Sequence, residues 1–178
     1  MQSRAPQIDF SAFSQFLPRN AGGAREVDSR TVGHEQEGPR MDLMSLVTDN
    51  ITEILTKIVE FSQARQKVLI QNIINVDHPK FVPKELEVHK FSSLVNDAID
   101  EHVRSRRLVL RDTENIKFAG GSGFEVTPII DEQCRKLLTE NVQQYIERQI
   151  SKLWENSLNQ RVAAEMLKQR QETVPLGV

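Results

Sequence analysis

Two stretches of this chain, residues 43–75 and 129–171, run without a single proline or glycine and carry apolar residues at helical spacing. Nothing else in the sequence constrains the fold as strongly. In the first, Val47, Ile51, Ile54, Ile58, Phe61, Val68 and Asn72 follow alternating steps of four and three, with Arg65 in the same seam. Leu55, Val59, Leu69 and Ile73 widen the stripe. The second carries Cys134, Leu137, Leu138, Asn141, Tyr145, Ile146, Ile150, Trp154, Leu158, Val162 and Met166 on a broader stripe. At a rise of 1.5 Å per residue the two helices would be ~50 and ~64 Å long. Unbroken helices of that length predict an antiparallel coiled coil between the two ends of the chain. Arg65 and Asn72 in the seam would set its register at some cost in stability.

The segment between them is punctuated. Asn75 to Pro83 holds Pro79 and Pro83, which cannot continue a helix, and predicts a turn over 76–84. Residues 85–105 predict a shorter helix with Phe91, Leu94, Val95, Ala98, Ile99 and Val103 on one face. Its far end carries Arg104, Arg106, Arg107 and Arg111, read as a solvated face. Residues 107–127 switch to period two: Leu108, Leu110 and Ile116–Phe118 read as short strands with a turn over Asp112–Asn115. The run from Ala119 to Phe124 is read as a flexible loop. It lacks the Gly-Lys-Ser/Thr ending of a phosphate-binding loop. A seven-residue tail, 172–178, follows the last helix.

The first 40 residues hold four glycines, three prolines and scattered charges, and are read as a disordered extension. Phe10, Phe13, Phe16 and Leu17 fit one face of a short helix there, which suits a docking motif. Met41 and Met44 also stand as alternative starts, which would leave the extension outside the native protein.

The chemistry-bearing residues form no familiar constellation. The single cysteine, Cys134, lies on an apolar stripe and reads as a small buried hydrophobe. None of His34, His78, His89 and His102 stands at helical spacing from another histidine or from the cysteine. No catalytic, cofactor-binding or metal-binding residue is therefore assigned, and the chain is expected not to be an enzyme. Glu85 and Glu87 read as ordinary surface carboxylates. A net charge of −2 argues against nucleic acid as a partner. No apolar run is long enough to span a bilayer, so no direct membrane insertion is expected, and the N-terminus lacks an apolar signal core. The fold expected is mainly α: two long terminal helices bracketing a short helix and a small β-hairpin-like centre. Their wide stripes would leave apolar surface for further subunits. The competing reading is a helical coiled-coil adaptor or secretion-chaperone-like interaction module.

The run from Arg65 to Phe81, with Leu69, Asn72, Ile73, Asn75, Asp77 and Pro79, resembles the N-terminal signature of flagellar rod and hook proteins. Its Asp-x-Pro-x-aromatic ending is most similar to the proximal rod type of the bacterial flagellar basal body. Asp131, Glu132 and Gln133, then Leu137, Asn141 and Tyr145, resemble the acidic start and the body of the family's last helix. His78 and Lys80 depart from it, standing where members carry Thr and Gly, and Ile74 replaces an Ala. A left-handed Lys80 would cost about 1 kcal/mol, or the turn must differ. The resemblance implies a structural, self-assembling subunit of the basal-body rod, which transmits torque from motor to hook. It implies export through the flagellar type III apparatus without a cleaved signal, and location in the periplasmic rod. The implied partners are copies of the chain, other rod and basal-body proteins and the export apparatus. It further implies that Asn72 and Asn75 fix the helix end, that Pro79 and Phe81 turn the chain back, and that Asn141 and Tyr145 face them.

Overall fold

The computed structural model describes residues 43–120 and 123–173. The N-terminal extension with its Phe10 cluster, the centre of the glycine run and the tail from 174 lie outside the described residues. The chain is mainly α, with two small strand pairs. Helix α1 (Leu43–Ile74) is followed by β1 (Lys84–Glu85), α2 (Val88–Ser105), β2 (Ile116–Gly120), β3 (Gly123–Val126) and β4 (Ile129–Ile130), then α3 (Glu132–Glu140) and α4 (Val142–Thr173).

Helices α1 and α4 lie side by side and antiparallel. Asn156 Nδ2 donates to Ser62 O at 2.8 Å, while ten residues further along α1, Asn72 meets Gln149 at 3.1 Å and Tyr145 at 3.0 Å. Two rows of α1 are buried. Ile51, Leu55, Ile58, Ser62, Arg65, Leu69 and Asn72, spaced by fours and threes, form the row that carries these bonds to α4. Ile54 and Phe61 form the other, toward α2 and the hairpin. There Phe61 stacks on Phe91 with ring centroids 4.0 Å apart and planes 7° apart. Phe118 and Phe124 complete the cluster at 6.0 and 6.1 Å from Phe91, and the Lys57 ammonium lies 5.5 Å from the Phe124 ring centre. Such ring pairs contribute about 1 kcal/mol each beyond their buried area.

Helix α2 buries Phe91, Leu94, Val95, Ala98, Ile99 and His102 on one face. It ends at Arg106, which takes the left-handed conformation (φ 59°, ψ 18°) and donates its N–H to His102 O at 2.9 Å. A non-glycine residue there is strained by its Cβ. Arg106→Gly is therefore expected to raise stability by about 0.5–1 kcal/mol in a thermal melt. Unchanged or lowered stability would show that the Arg106 side chain offsets its own strain. Arg106 is the only non-glycine residue with positive φ among the described residues, so Lys80 needs no left-handed backbone. The 75–83 turn instead closes through His78 N to Asn75 O and Phe81 N to His78 O, each 3.0 Å.

Three expectations are corrected. The last helix is not continuous over 129–171. Ile129 and Ile130 pair as strand β4 with Glu85 and Lys84, and the helix breaks at Asn141, whose backbone is extended (φ −157°, ψ 96°). Asparagine competes for backbone donors: Asn141 Oδ1 accepts the Gln144 N–H at 3.0 Å and so caps α4. Leu108 and Leu110 form no strand. Thr113 N donates to Ile116 O at 2.7 Å and Phe118 N to Asp112 Oδ1 at 2.8 Å, which folds 112–118 on itself. The hairpin partner of Ile116 and Lys117 is the stretch to Val126 on the far side of the glycine run, where Gly123 has φ 105°. That conformation favours glycine, and Gly123 pairs with Gly120 at the end of the hairpin. Finally, α2 starts at Val88, because Lys84 and Glu85 are drawn into a strand pair.

Candidate functional site

The polar groups of the structure converge where α1, β1, α3 and α4 meet. Asn72, buried in α1, is the hub. Its Nδ2 donates to Lys84 O (2.7 Å) and to Gln149 Oε1 (3.1 Å), and its Oδ1 accepts the Lys84 N–H (3.0 Å). Its carboxamide therefore mimics a neighbouring strand along the edge of β1. Its own carbonyl accepts the fully buried Tyr145 hydroxyl at 3.0 Å. One side chain thus holds the helix, the returning chain and the facing helix. Burial raises the Tyr145 hydroxyl above its ordinary value, so it stays a donor at neutral pH.

One helical stretch away lies a chain of ion pairs. Arg65, 2% exposed, grips Glu85 with both Nε (3.1 Å) and Nη2 (3.2 Å). Glu85 also meets Lys152 Nζ at 3.0 Å, and Lys152 meets Asp131 at 2.7 Å. The other Asp131 oxygen accepts the Cys134 N–H at 2.9 Å, capping α3. Burial pushes the Glu85 carboxyl up, but Arg65 and then Lys152 outweigh it and leave it below its usual value. Asp131 is lowered in the same way, by Lys152 and the Cys134 N–H against burial. Burial works against the Lys152 ammonium, and Glu85 and Asp131 raise it above its ordinary value. Cys134 is buried and free. Burial and its link to Asp131 push its thiol up to about 11, which leaves it protonated and unreactive at neutral pH.

Glu155 borders this array, and its Oε1 is buried without a hydrogen-bond partner. Burial raises its carboxyl, with Glu85 adding to the effect and Arg65 opposing it. An acid that binds its proton more tightly when folded loses native stability as pH rises above its ordinary 4.5. Glu155→Gln is thus expected to melt higher than the parent at pH 7, with the difference vanishing near pH 4. Equal melting at pH 7 would show that the carboxylate finds compensation in solution.

The remaining residues singled out by sequence are placed as follows. Leu69 is fully buried in the α1 row facing α4. Ile73, Phe81 and Leu137 are half-buried. Asp77 and Pro79 are exposed in the turn. Asn75 bonds back to Gln71 O at 2.8 Å on the surface. Asn141 is exposed at the helix break, where its Oδ1 accepts the Gln144 N–H. Arg65, Asn72 and Tyr145 are therefore brought together at the junction. Sequence reasoning missed Gln149, Lys152 and Asn156, and the ion-pair roles of Glu85 and Asp131. Glu85, read as a surface carboxylate, is the acid that Arg65 and Lys152 share. Asp131, three residues after Pro128 and followed by Glu132, carried a legible helix-start signal. The polar α4 residues carried none, because each interrupts no apolar pattern.

An open cleft of about 1110 Å³ lies over this junction, walled by Glu87, Ile129, Ile130, Leu137 and Arg148. Of the charges lining it, Arg65, Glu85, Lys152 and Asp131 are committed to each other. No group of three or more His, Cys, Asp or Glu side chains that could hold a metal occurs among the described residues. No helix among them is long and apolar enough to cross a membrane. No protein-family model, curated protein or solved structure matches the chain.

Proposed function

We propose that this protein is a non-enzymatic structural subunit that assembles with copies of itself through its terminal helices, as a rod component of the bacterial flagellar basal body. The observation that carries the assembly reading is uncovered apolar surface on both helices of the pair. Ile150, Trp154, Leu158 and Val162 stand exposed on α4, and Ile70 and Ile74 on α1. A monomer seldom presents such a run of large side chains on one helix. The polar seam supports the same reading. Asn72 with Gln149 and Asn156 with Ser62 bond directly between α1 and α4, and Arg65 and Lys152 share Glu85, which suits polar register residues of a helix pair. The large apolar groups are then free to face outward. The resemblance of Arg65–Phe81 to the rod and hook signature supplies the flagellar part, with export by the type III route and transmission of torque as its implied setting.

Light scattering and electron microscopy against concentration test this. Open-ended, filament-like growth is the expected result. A defined dimer at every concentration favours the coiled-coil adaptor, and a monomer throughout removes the assembly reading.

A further inference from the structure

The apolar ridge of α4 stands uncovered among the described residues. Trp154 is 75% exposed and Leu158 63%, with Ile150 and Val162 continuing the line at steps of four. From Trp154 to Val162 the ridge is ~12 Å long. The sequence holds a second apolar group outside the described residues, Phe10, Phe13, Phe16 and Leu17. As a helical face it would span ~10 Å. Four of the five remaining phenylalanines, Phe61, Phe91, Phe118 and Phe124, are already packed together.

We propose that the Phe10–Leu17 segment of the same chain covers the Trp154 ridge in the unassembled subunit. The tether has a matching length. Because α1 and α4 are antiparallel, with Ser62 beside Asn156 and Asn72 beside Tyr145 and Gln149, α1 begins at the C-terminal end of α4. Continuing that register puts Leu158 ~25 Å along α4 from the start of α1. The chain from Pro18 to Asp42 has 25 residues, and a coil of that length has an r.m.s. span of ~25–30 Å. A tether whose span equals the distance gives its effective concentration near the maximum, on the order of millimolar. At micromolar protein a second copy cannot compete with it for the ridge. Displacement by neighbours then accompanies growth, once their combined contacts exceed those of one short segment. This last step rests on the assembly reading above. The covering of the ridge does not.

Trp154 is the only tryptophan, so its emission reports the ridge without a label. The full chain and a Phe10→Asp/Phe13→Asp/Phe16→Asp variant are compared at dilutions where no scattering is seen, with far-UV circular dichroism confirming equal helicity. In the parent, Trp154 emission is expected to be blue-shifted and resistant to acrylamide, independent of concentration. In the variant it shifts to the red, quenching rises severalfold, and scattering begins at lower concentration. Equal, solvent-like emission in both chains overturns the proposal. So does protection that survives in the variant or grows with concentration, which assigns the ridge to a second copy. If the variant uncovers Trp154 yet neither chain ever scatters, the covering stands and the assembly reading fails.

Discussion

Asn72→Ala is expected to lower the free energy of unfolding by about 3 kcal/mol, the loss of several buried hydrogen bonds at ~1 kcal/mol or more for each group left unpaired. The deletion strands the Lys84 N–H and C=O and the Gln149 Oε1 together. The effect should be local as well as global. The Lys84 amide is expected to lose hydrogen-exchange protection, because its N–H is held by the Asn72 Oδ1. Asn75→Ala is the matched control. Its bonds to Gln71 lie within one helix turn on the surface, and a change within ~0.5 kcal/mol is expected. Urea unfolding of the two variants separates a helix-end clamp from an ordinary cap. If both cost the same, Asn72 does not act as the hub described.

Lys152→Met should cost about 3–5 kcal/mol, the usual result of removing one partner from a buried ion-pair array. Lys152 is the one cation shared by Glu85 and Asp131, and its loss leaves Asp131 without a charge partner. The pH dependence gives a second readout with a determined sign. Glu85 and Asp131 are lowered on folding, so their contribution is complete above their ordinary values of 4.5 and 3.8. It is lost as pH falls through the depressed native values. Lys152 is raised, so its share is complete below 10.5 and lost as pH rises through its native value. The parent should therefore be most stable on a plateau between these limits. The Lys152→Met variant should lose less on acidification than the parent does. An unchanged acid limb would mean that Lys152 does not hold these carboxyls low.

How much of this was legible beforehand differs by element. The first helix was readable almost to the residue, Leu43–Ile74 against 43–75, because propensity, periodicity and the proline stop agree. The second long helix was not. An asparagine capping α4 looks, in a linear sequence, like one more polar residue on a helix. Only the return of α3 along α4, with Cys134 against Gln149 at 3.2 Å, makes the break necessary. The hairpin was misplaced for a similar reason. Period two marks strands but does not say which neighbours pair, and Ile116 and Lys117 pair with Val126 and Glu125 beyond the glycine run.

The sequence by itself determined the length and position of the first helix, the turn at the two prolines and the excess of apolar surface on the helical stretches. All of these follow from local spacing and backbone sterics. The tertiary structure decided which face of α4 turns inward. It is the polar row of Tyr145, Gln149, Lys152 and Asn156, because α1 presents Asn72 and the Ser62 carbonyl, while Glu85 beside Arg65 and Asp131 meet Lys152, and buried polar groups must be paired. A hydrophobic stripe attracts any apolar surface equally well. Hydrogen bonds and ion pairs have one geometry, and here they leave Trp154 and its neighbours facing out.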